Sequence, residues 1–84
     1  MGELSKLPNI SHVLEKKLND IGILNPQSLC MIGSKEAFVR LWLSDPTACL
    51  SMLCALEGAV QGIRWHHLHE DVKVDLKAFH RSLG

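Results

Sequence analysis

Three groups of residues in this 84-residue chain have types and spacing suited to chemistry. The first is the turn from Leu7 to Val13, where an apolar Leu-Pro-Asn-Ile run leads directly into a helix. Backbone N–H groups at a helix start point outward and can hold an anion, often a nucleic-acid phosphate. The second is Glu57, a carboxylate inside an apolar segment, and the third is a cluster of histidines at positions 66, 67 and 69.

The turn and the helix after it supply the candidate contacts to a phosphate or a protein partner. These contacts are Lys6, Asn9, Ser11, His12, Lys16 and Lys17. Phosphate-binding turns commonly read Leu-Pro-Gly-Ile-Gly, because glycine tolerates positive φ and lets a phosphate lie against the backbone. Asn9 can adopt the left-handed conformation, but Ser11 places a side chain where the phosphate would lie. We therefore favour a turn that shapes the fold and a protein partner, with direct DNA binding as the alternative.

Glu57 is predicted to lie on a covered face of its helix, between Leu50 and Leu53 in helical angle. A buried carboxylate without partners is costly, so we expect it to accept hydrogen bonds from backbone N–H groups, from Trp65 Nε1 or from Arg64. Catalysis would require a second acid, base or nucleophile beside it, and no recognisable constellation is present. A structural role is therefore favoured. An enzyme using Glu57 and a histidine is a third hypothesis, and it requires a pocket beside Glu57 that is open to solvent.

The histidines and tryptophans have ordinary structural interpretations as well. His66 and His69 could present two imidazoles to a metal ion, but the sequence has no Cys-x-x-Cys motif or second histidine pair to complete a site. We expect a solvated turn there, and no metal or other cofactor. Trp42 and Trp65 are predicted to anchor the core and not to stack on bases, since no basic groove surrounds them in the sequence. Arg64 is expected to hold a helix end or a carboxylate.

Composition narrows the classes of function. Nine basic and nine acidic residues give a net charge of zero, whereas a nucleic-acid-binding domain usually has a basic surplus. The longest apolar segment, 48–63, is shorter than the roughly 20 residues of a membrane-spanning helix, and no signal peptide is recognisable. Three cysteines, at positions 30, 49 and 54, fit a reducing cytoplasm, and Cys49 and Cys54 are expected to be small core side chains. We expect a cytoplasmic protein without membrane contact, and self-association is left open.

Caps and hydrophobic spacing predict five helices. The first runs over about 11–21, with Ser11 as N-cap and Gly22 after its end. The second opens at Asn25-Pro26 and ends at Gly33, and Ser34 is expected to cap the third. Asp45-Pro46 is expected to start the fourth and longest helix, which ends near Gly62, and the fifth follows His69. No segment alternates long enough to form a strand, so the predicted class is all-α.

The fourth helix is predicted to be the centre of the domain. Its apolar face comprises Cys49, Leu53, Leu56, Val60 and Ile63, and its small-residue stripe comprises Ser51, Ala55, Gly58, Ala59 and Gly62. A helix that is apolar nearly all round is buried, and small residues allow another backbone to approach closely. We therefore predict one domain over 1–84, with about five short helices packed around a buried fourth in a helix-hairpin-helix, SAM-like architecture.

Several segments together resemble a known family. They are Leu-Pro-Asn-Ile at 7–10, Leu-Glu-Lys-Lys-Leu at 14–18, Gly-Ile at 22–23, Ala-Leu-Glu-Gly-Ala at 55–59, Gln-Gly-Ile-Arg-Trp at 61–65 and Leu-Lys-Ala-Phe at 76–79. From about residue 7 to 83 the chain closely resembles the C-terminal domain of TfoX/Sxy-type competence regulators. In that family the domain follows an N-terminal α/β domain, and the regulator acts with the cyclic-AMP receptor protein at certain promoters.

The resemblance implies a helical domain of a bacterial cytoplasmic protein tied to expression of DNA-uptake genes. The initial methionine, with only six residues before Leu7, favours a stand-alone member over an excised domain. The expected function is a non-enzymatic interaction module in the transcriptional regulation of competence and DNA transformation, acting through contacts with transcription machinery or a regulator. The alternative is a helix-hairpin-helix domain that binds DNA phosphates non-specifically.

Overall fold

The helix signals of the sequence produce five α-helices in a computed structural model, which describes residues 3–83. The helices are α1 (His12–Asp20), α2 (Pro26–Ile32), α3 (Ser34–Ser44), α4 (Leu50–Gln61) and α5 (Glu70–Leu83). Two single 3-10 turns, Leu4–Lys6 and Trp65–His67, precede α1 and α5. Residues 3–83 contain no β-strand. The predicted all-α class is therefore confirmed.

Both predicted ends of α1 are confirmed. Ser11 is the N-cap, and its Oγ accepts a hydrogen bond from the backbone N of Leu14 at 3.2 Å. At the other end, Gly22 has a φ of 92°, and the N–H of Ile23 donates to the carbonyl of Leu18 at 2.9 Å. This pattern is a Schellman motif, which satisfies carbonyls that the helix end leaves free. Leu18 and Ile23 are both fully buried, so the motif also fixes the chain leaving α1 against the core.

The start of α3 differs from the prediction by one residue. Asn25 caps α2 as expected, accepting from Ser28 N at 2.8 Å. Ser34, however, is the first residue of α3, and Gly33 occupies the N-cap position with a φ of 87°. Ser34 as N-cap was therefore wrong. The positive φ of Gly33 joins α2 to α3 through one residue and leaves the Ser34 hydroxyl buried, where it donates to Glu57.

The predicted start of α4 at Asp45-Pro46 is also wrong. Asp45 ends α3, with its N–H donating to the carbonyl of Leu41 at 2.7 Å. Its Oδ1 then accepts hydrogen bonds from the Thr47 backbone N at 3.1 Å and from Thr47 Oγ1 at 2.5 Å. An aspartate that bonds two residues ahead stabilises a turn, and that turn competes with a helix start. The helix α4 begins at Leu50 and has 12 residues, so α5, with 14, is longer.

The central position predicted for α4 is confirmed. It packs against α2, α3, α5 and the 3-10 turn at 65–67. Leu53 and Leu56 on this helix are fully buried, and so is Phe38 of α3. Because three of the other four helices pack against α4, this helix fixes their relative positions, whereas α1 packs mainly against α3 and the 3-10 turn at 4–6. In residues 3–83, no helix has the length and apolar character needed to cross a bilayer.

The cysteines do not all lie in the core. Cys54 is buried within α4, and burial raises the pKa of its thiol. Cys30 and Cys49 are exposed, so the predicted core position of Cys49 was wrong. Cys49 lies at the N-cap of α4 and not inside the helix, which places it outside the helical face that the sequence analysis assigned to it.

Candidate functional site

Asn9 joins the turn to the far end of α4. Its φ is 70°, the left-handed conformation that the sequence analysis considered for it. Its Nδ2 donates to the carbonyls of Ile63 at 3.0 Å and Ala55 at 3.4 Å, and its Oδ1 accepts from the Trp65 backbone N at 3.2 Å. Both polar atoms of the side chain therefore bond within the fold.

The contact between Asn9 and α4 depends on Gly58. A Cβ at position 58 would lie 2.5 Å from Asn9 Nδ2 and 2.8 Å from the carbonyl oxygen of Ile63. Both distances are shorter than van der Waals contact, and the two atoms belong to the same hydrogen bond. The small-residue stripe of α4 therefore does allow a close approach at this position, and what approaches is the asparagine side chain together with the backbone at 63–65.

Glu15 is a buried carboxylate that the sequence analysis did not single out. It is only 4% exposed, and its Oε2 accepts from the Ser5 backbone N at 3.1 Å. The Nδ1 atom of His12 lies 3.9 Å from the other oxygen. Glu15 thus holds the 3-10 turn at 4–6 against α1. The sequence did hold a signal for this burial, because the helical angle of Glu15 lies only about 60° from that of Leu18 on the apolar stripe of α1.

The basic candidates near the turn separate into different places. Lys6 lies with residues 7–11 around a shallow depression, which Arg64 also lines. Lys16 is exposed on α1, and His12 is also exposed. Arg64 is therefore beside the turn, and its predicted contact with Glu57 is not present among the hydrogen bonds and ion pairs of residues 3–83.

Lys17 points to the end of α3. Its Nζ lies 3.1 Å from Asp45 Oδ2, and both groups are partly exposed. Hydrogen bonds from the Thr47 side chain, from Lys17 and from the Thr47 backbone lower the pKa of Asp45 to about 2. Lys17 also lies beside a small depression whose walls include Val13, Leu14 and Met52, and Ser11 lies at its edge.

Glu57 has different partners from those predicted. Its Oε1 accepts from Ser34 Oγ at 2.5 Å and its Oε2 accepts from Gln61 Nε2 at 2.6 Å. Trp65 and Arg64 do not reach it, because Gly62, with a φ of 78°, turns the chain away towards Asn9. The carboxylate is half-buried and not sealed.

Glu57 lines an open cleft of about 500 Å³. The cleft lies between the α2–α3 junction, α4 and the first half of α5. Its lining residues are Ile32, Gly33, Ser34, Lys35, Glu36, Glu57, Asp71, Val72, Asp75 and Leu76. The enzyme hypothesis required an open pocket beside Glu57, and this pocket exists, but none of the described residues lining it is a histidine. The cleft offers carboxylates and apolar walls.

The histidines near α5 make local contacts. The rings of Trp65 and His66 stack with centroids 4.1 Å apart, and His69 Nδ1 accepts from the Asp71 backbone N at 3.2 Å. Trp42 and Trp65 are partly buried and pack against the core. Over residues 3–83, no three His, Cys, Asp or Glu side chains come close enough to form a metal site.

These features define an all-helical domain in which a turn before the first helix is bonded to the end of a central helix. The family model of the TfoX C-terminal domain matches residues 1–80, and the chain belongs to this family. Protein Sxy of Escherichia coli K12 is 37% identical over 60 residues, which are 71% of this chain and 29% of Sxy. The chain thus spans less than a third of that relative.

Two crystal structures of Listeria monocytogenes proteins have the same fold. An uncharacterized protein in a triclinic form is 59% identical with a TM-score of 0.95, covering 95% of this chain and 91% of that one. A protein of unknown function in a tetragonal form is 58% identical with a TM-score of 0.94, covering 96% and 99%. The agreement extends over nearly the whole length of both chains.

Proposed function

We propose that this chain is a non-enzymatic interaction module of the cytoplasm that regulates the transcription of competence and DNA-uptake genes through contacts with a protein partner. Membership of the TfoX C-terminal family and the similarity to Sxy support the regulatory role. The observation that carries the protein-contact mechanism is the bonding of Asn9. Because its amide bonds only inside the fold, the turn functions as architecture.

The other groups near the turn also favour a protein partner. Ser11 Oγ is used to cap α1, and Lys17 is paired with Asp45. Few lysines are then left to neutralise phosphates, and an affinity based on few phosphate contacts falls quickly with salt. Val13, in contrast, is 67% exposed beside the small depression that Ser11 and Lys17 also line. Such a surface suits apolar contact with another protein.

The test uses the cyclic-AMP receptor protein bound to a fluorescent promoter duplex. We expect the chain to bind this complex with a dissociation constant in the micromolar range, about −8 kcal/mol, and to bind the duplex alone far more weakly. Val13→Asp should weaken the binding, while Val74→Asp should not. Val74 is a matched control, because it is 61% exposed on α5. Equal binding to the duplex with and without the regulator would contradict the proposal.

Direct binding of DNA phosphates is the second candidate, and one observation favours it. Lys6 and Arg64 lie around the depression at the start of α1, where backbone N–H groups are able to hold a phosphate. If this mechanism operates, Lys6→Glu with Arg64→Glu abolishes anisotropy-detected binding to a duplex at low salt. The exposed pair Lys77→Glu with Arg81→Glu, on α5, is the control with the same change of charge.

A further inference from the structure

Glu57 is a carboxylate whose position is fixed but whose charge is not neutralised by a neighbouring cation. Ser34 Oγ and Gln61 Nε2 each donate to one of its oxygens, and both donors are uncharged. None of the ion pairs among residues 3–83 includes Glu57. Each carboxylate oxygen can accept a second hydrogen bond, so a bound cation would not have to displace Ser34 or Gln61.

The other carboxylates of the cleft are further out, and two of them are paired. Lys35 Nζ lies 2.6 Å from Asp75 Oδ2, and Arg40 Nε lies 3.2 Å from Glu36 Oε2. Asp71 is highly exposed, with His69 Nδ1 at 3.7 Å from its Oδ2. The ten lining residues include four acids and one lysine, in a chain with no net charge. The cleft is therefore locally negative, and its least exposed acid, Glu57, takes part in none of these pairs.

Part of the lining of the cleft is apolar. Its apolar lining residues are Ile32 of α2 and Val72 and Leu76 of α5. Leu76 is almost fully buried at the base. A volume of about 500 Å³ accommodates one long side chain and part of the segment that carries it, and it is within the range of ligand pockets. An occupant must combine an apolar stem with a positive end.

We propose that this cleft binds an arginine side chain of a partner protein, with the guanidinium against Glu57 and the aliphatic stem between Ile32, Val72 and Leu76. Arginine fits better than lysine, because its guanidinium is more weakly hydrated and donates two parallel hydrogen bonds to a carboxylate. The proposal rests on the proposed function, since it names the chemistry of the partner, and it places one contact on a surface separate from Val13.

The experiment is an NMR titration of the 15N-labelled chain with the peptide acetyl-Leu-Arg-Leu-amide. We expect saturable shifts of the backbone amides at 33–35 and 61, with a dissociation constant of about 1 mM, roughly −4 kcal/mol. The same peptide with citrulline, which is uncharged and nearly isosteric with arginine, should bind about tenfold more weakly. The lysine peptide should bind about threefold more weakly than the arginine peptide.

Two variants test the role of Glu57. Glu57→Gln should reduce the affinity for the arginine peptide about tenfold and leave that for the citrulline peptide unchanged. Glu70→Gln, an exposed acid of α5 outside the cleft, should leave both unchanged. If Glu57→Gln alters the fold, Asp71→Asn is used instead, because it changes only an exposed charge at the rim of the cleft. It should weaken binding of the arginine peptide about twofold. Equal binding of the arginine and citrulline peptides, shifts elsewhere, or no saturation below about 10 mM would overturn the proposal.

The peptide titration and the promoter experiment test the two proposals independently, so a negative result in one can be told from a negative result in the other. If the chain binds the regulator–promoter complex but not the arginine peptide, the proposed function holds and the cleft is not the contact. If the peptide binds at the cleft and the regulator complex does not, arginine recognition holds and the partner is a different protein.

Discussion

The turn at residues 7–11 and the cleft beside Glu57 differ in how their polar side chains are used. At the turn, Asn9 bonds to three backbone groups of another part of the fold. In the cleft, Glu57 is held by two neutral side chains and faces solvent. The difference shows that one polar group serves to lock the fold, while the other is positioned by the fold and left available. The changes below should affect stability in the first region and binding in the second.

Replacing Gly58 by alanine should have the largest effect. In a helix with space around it, this change stabilises by about 1 kcal/mol. Here the new Cβ would meet Asn9 Nδ2 and the Ile63 carbonyl, and we expect a loss of about 3 kcal/mol in the free energy of unfolding. Urea denaturation measures it, with Ser51→Ala, at an exposed position of α4, as the control. A stabilised Gly58→Ala variant would show that the turn does not press on α4.

Replacing Asn9 tests the other partner in the same contact between the turn and α4. Asn9→Ala removes its side-chain hydrogen bonds and places alanine at a φ of 70°, so we expect a loss of about 2 to 3 kcal/mol. Asn9→Gly removes the bonds but keeps the conformation accessible, and it should cost about 1 kcal/mol less than alanine. Thermal unfolding of both variants separates backbone strain from hydrogen bonding, and equal losses would argue against a contribution from strain.

Changes in the cleft should affect stability less. Ser34→Ala removes one donor to Glu57 from a buried position, and we expect a loss of about 1 kcal/mol. Glu57→Gln keeps an acceptor for Ser34, and its stability should stay within about 0.5 kcal/mol of the parent. Chemical denaturation of the two variants is the measurement. A loss at Glu57→Gln as large as that at Asn9→Ala would mean that the cleft is a structural lock as well.

The smallest expected effect is the contribution of Asp45 to the dependence of stability on pH. Because the folded state lowers its pKa from 3.8 to about 2, the ionised form favours folding above pH 4, and this contribution is lost as the pH falls through 2. Asp45→Asn should therefore remove part of the dependence of the melting temperature on pH between about 4 and 2. Glu70→Gln, at an exposed position, is the control. An NMR titration of the Asp45 carboxyl with an ordinary midpoint would contradict this prediction.

The sequence was sufficient for features determined by neighbouring residues. The Ser11 cap, the Gly22 ending and the Asn25-Pro26 start are local patterns, and the structure has all three. It was not sufficient where two local patterns compete. Asp45-Pro46 has the residues of a helix start, but the hydrogen bonds from Thr47 to Asp45 form a turn there instead.

The bond of Glu57 to Ser34 and the bonds of Asn9 to residues 55, 63 and 65 could not be predicted, because these partners come from distant parts of the chain. Glu57 bonds to Ser34, which is 23 residues away, and helical periodicity gives the direction of a side chain without naming what lies opposite. The left-handed φ of Gly62 ends α4 and directs Arg64 and Trp65 to the turn at residues 7–11, away from Glu57. If the helical periodicity of α4 had continued past Gly62, Arg64 and Trp65 would lie near Glu57.

The bonds of Asn9 also bear on the order of folding. The bond to Ile63 joins residues 54 apart in a chain of 84, so it closes a loop that contains α1 to α4. Closing a loop costs chain entropy before the contact can form, so contacts this distant in sequence slow folding. We expect the geometry of residues 7–11 to be completed late, because a nascent chain ending before residue 63 lacks the Ile63 and Trp65 groups that bond Asn9.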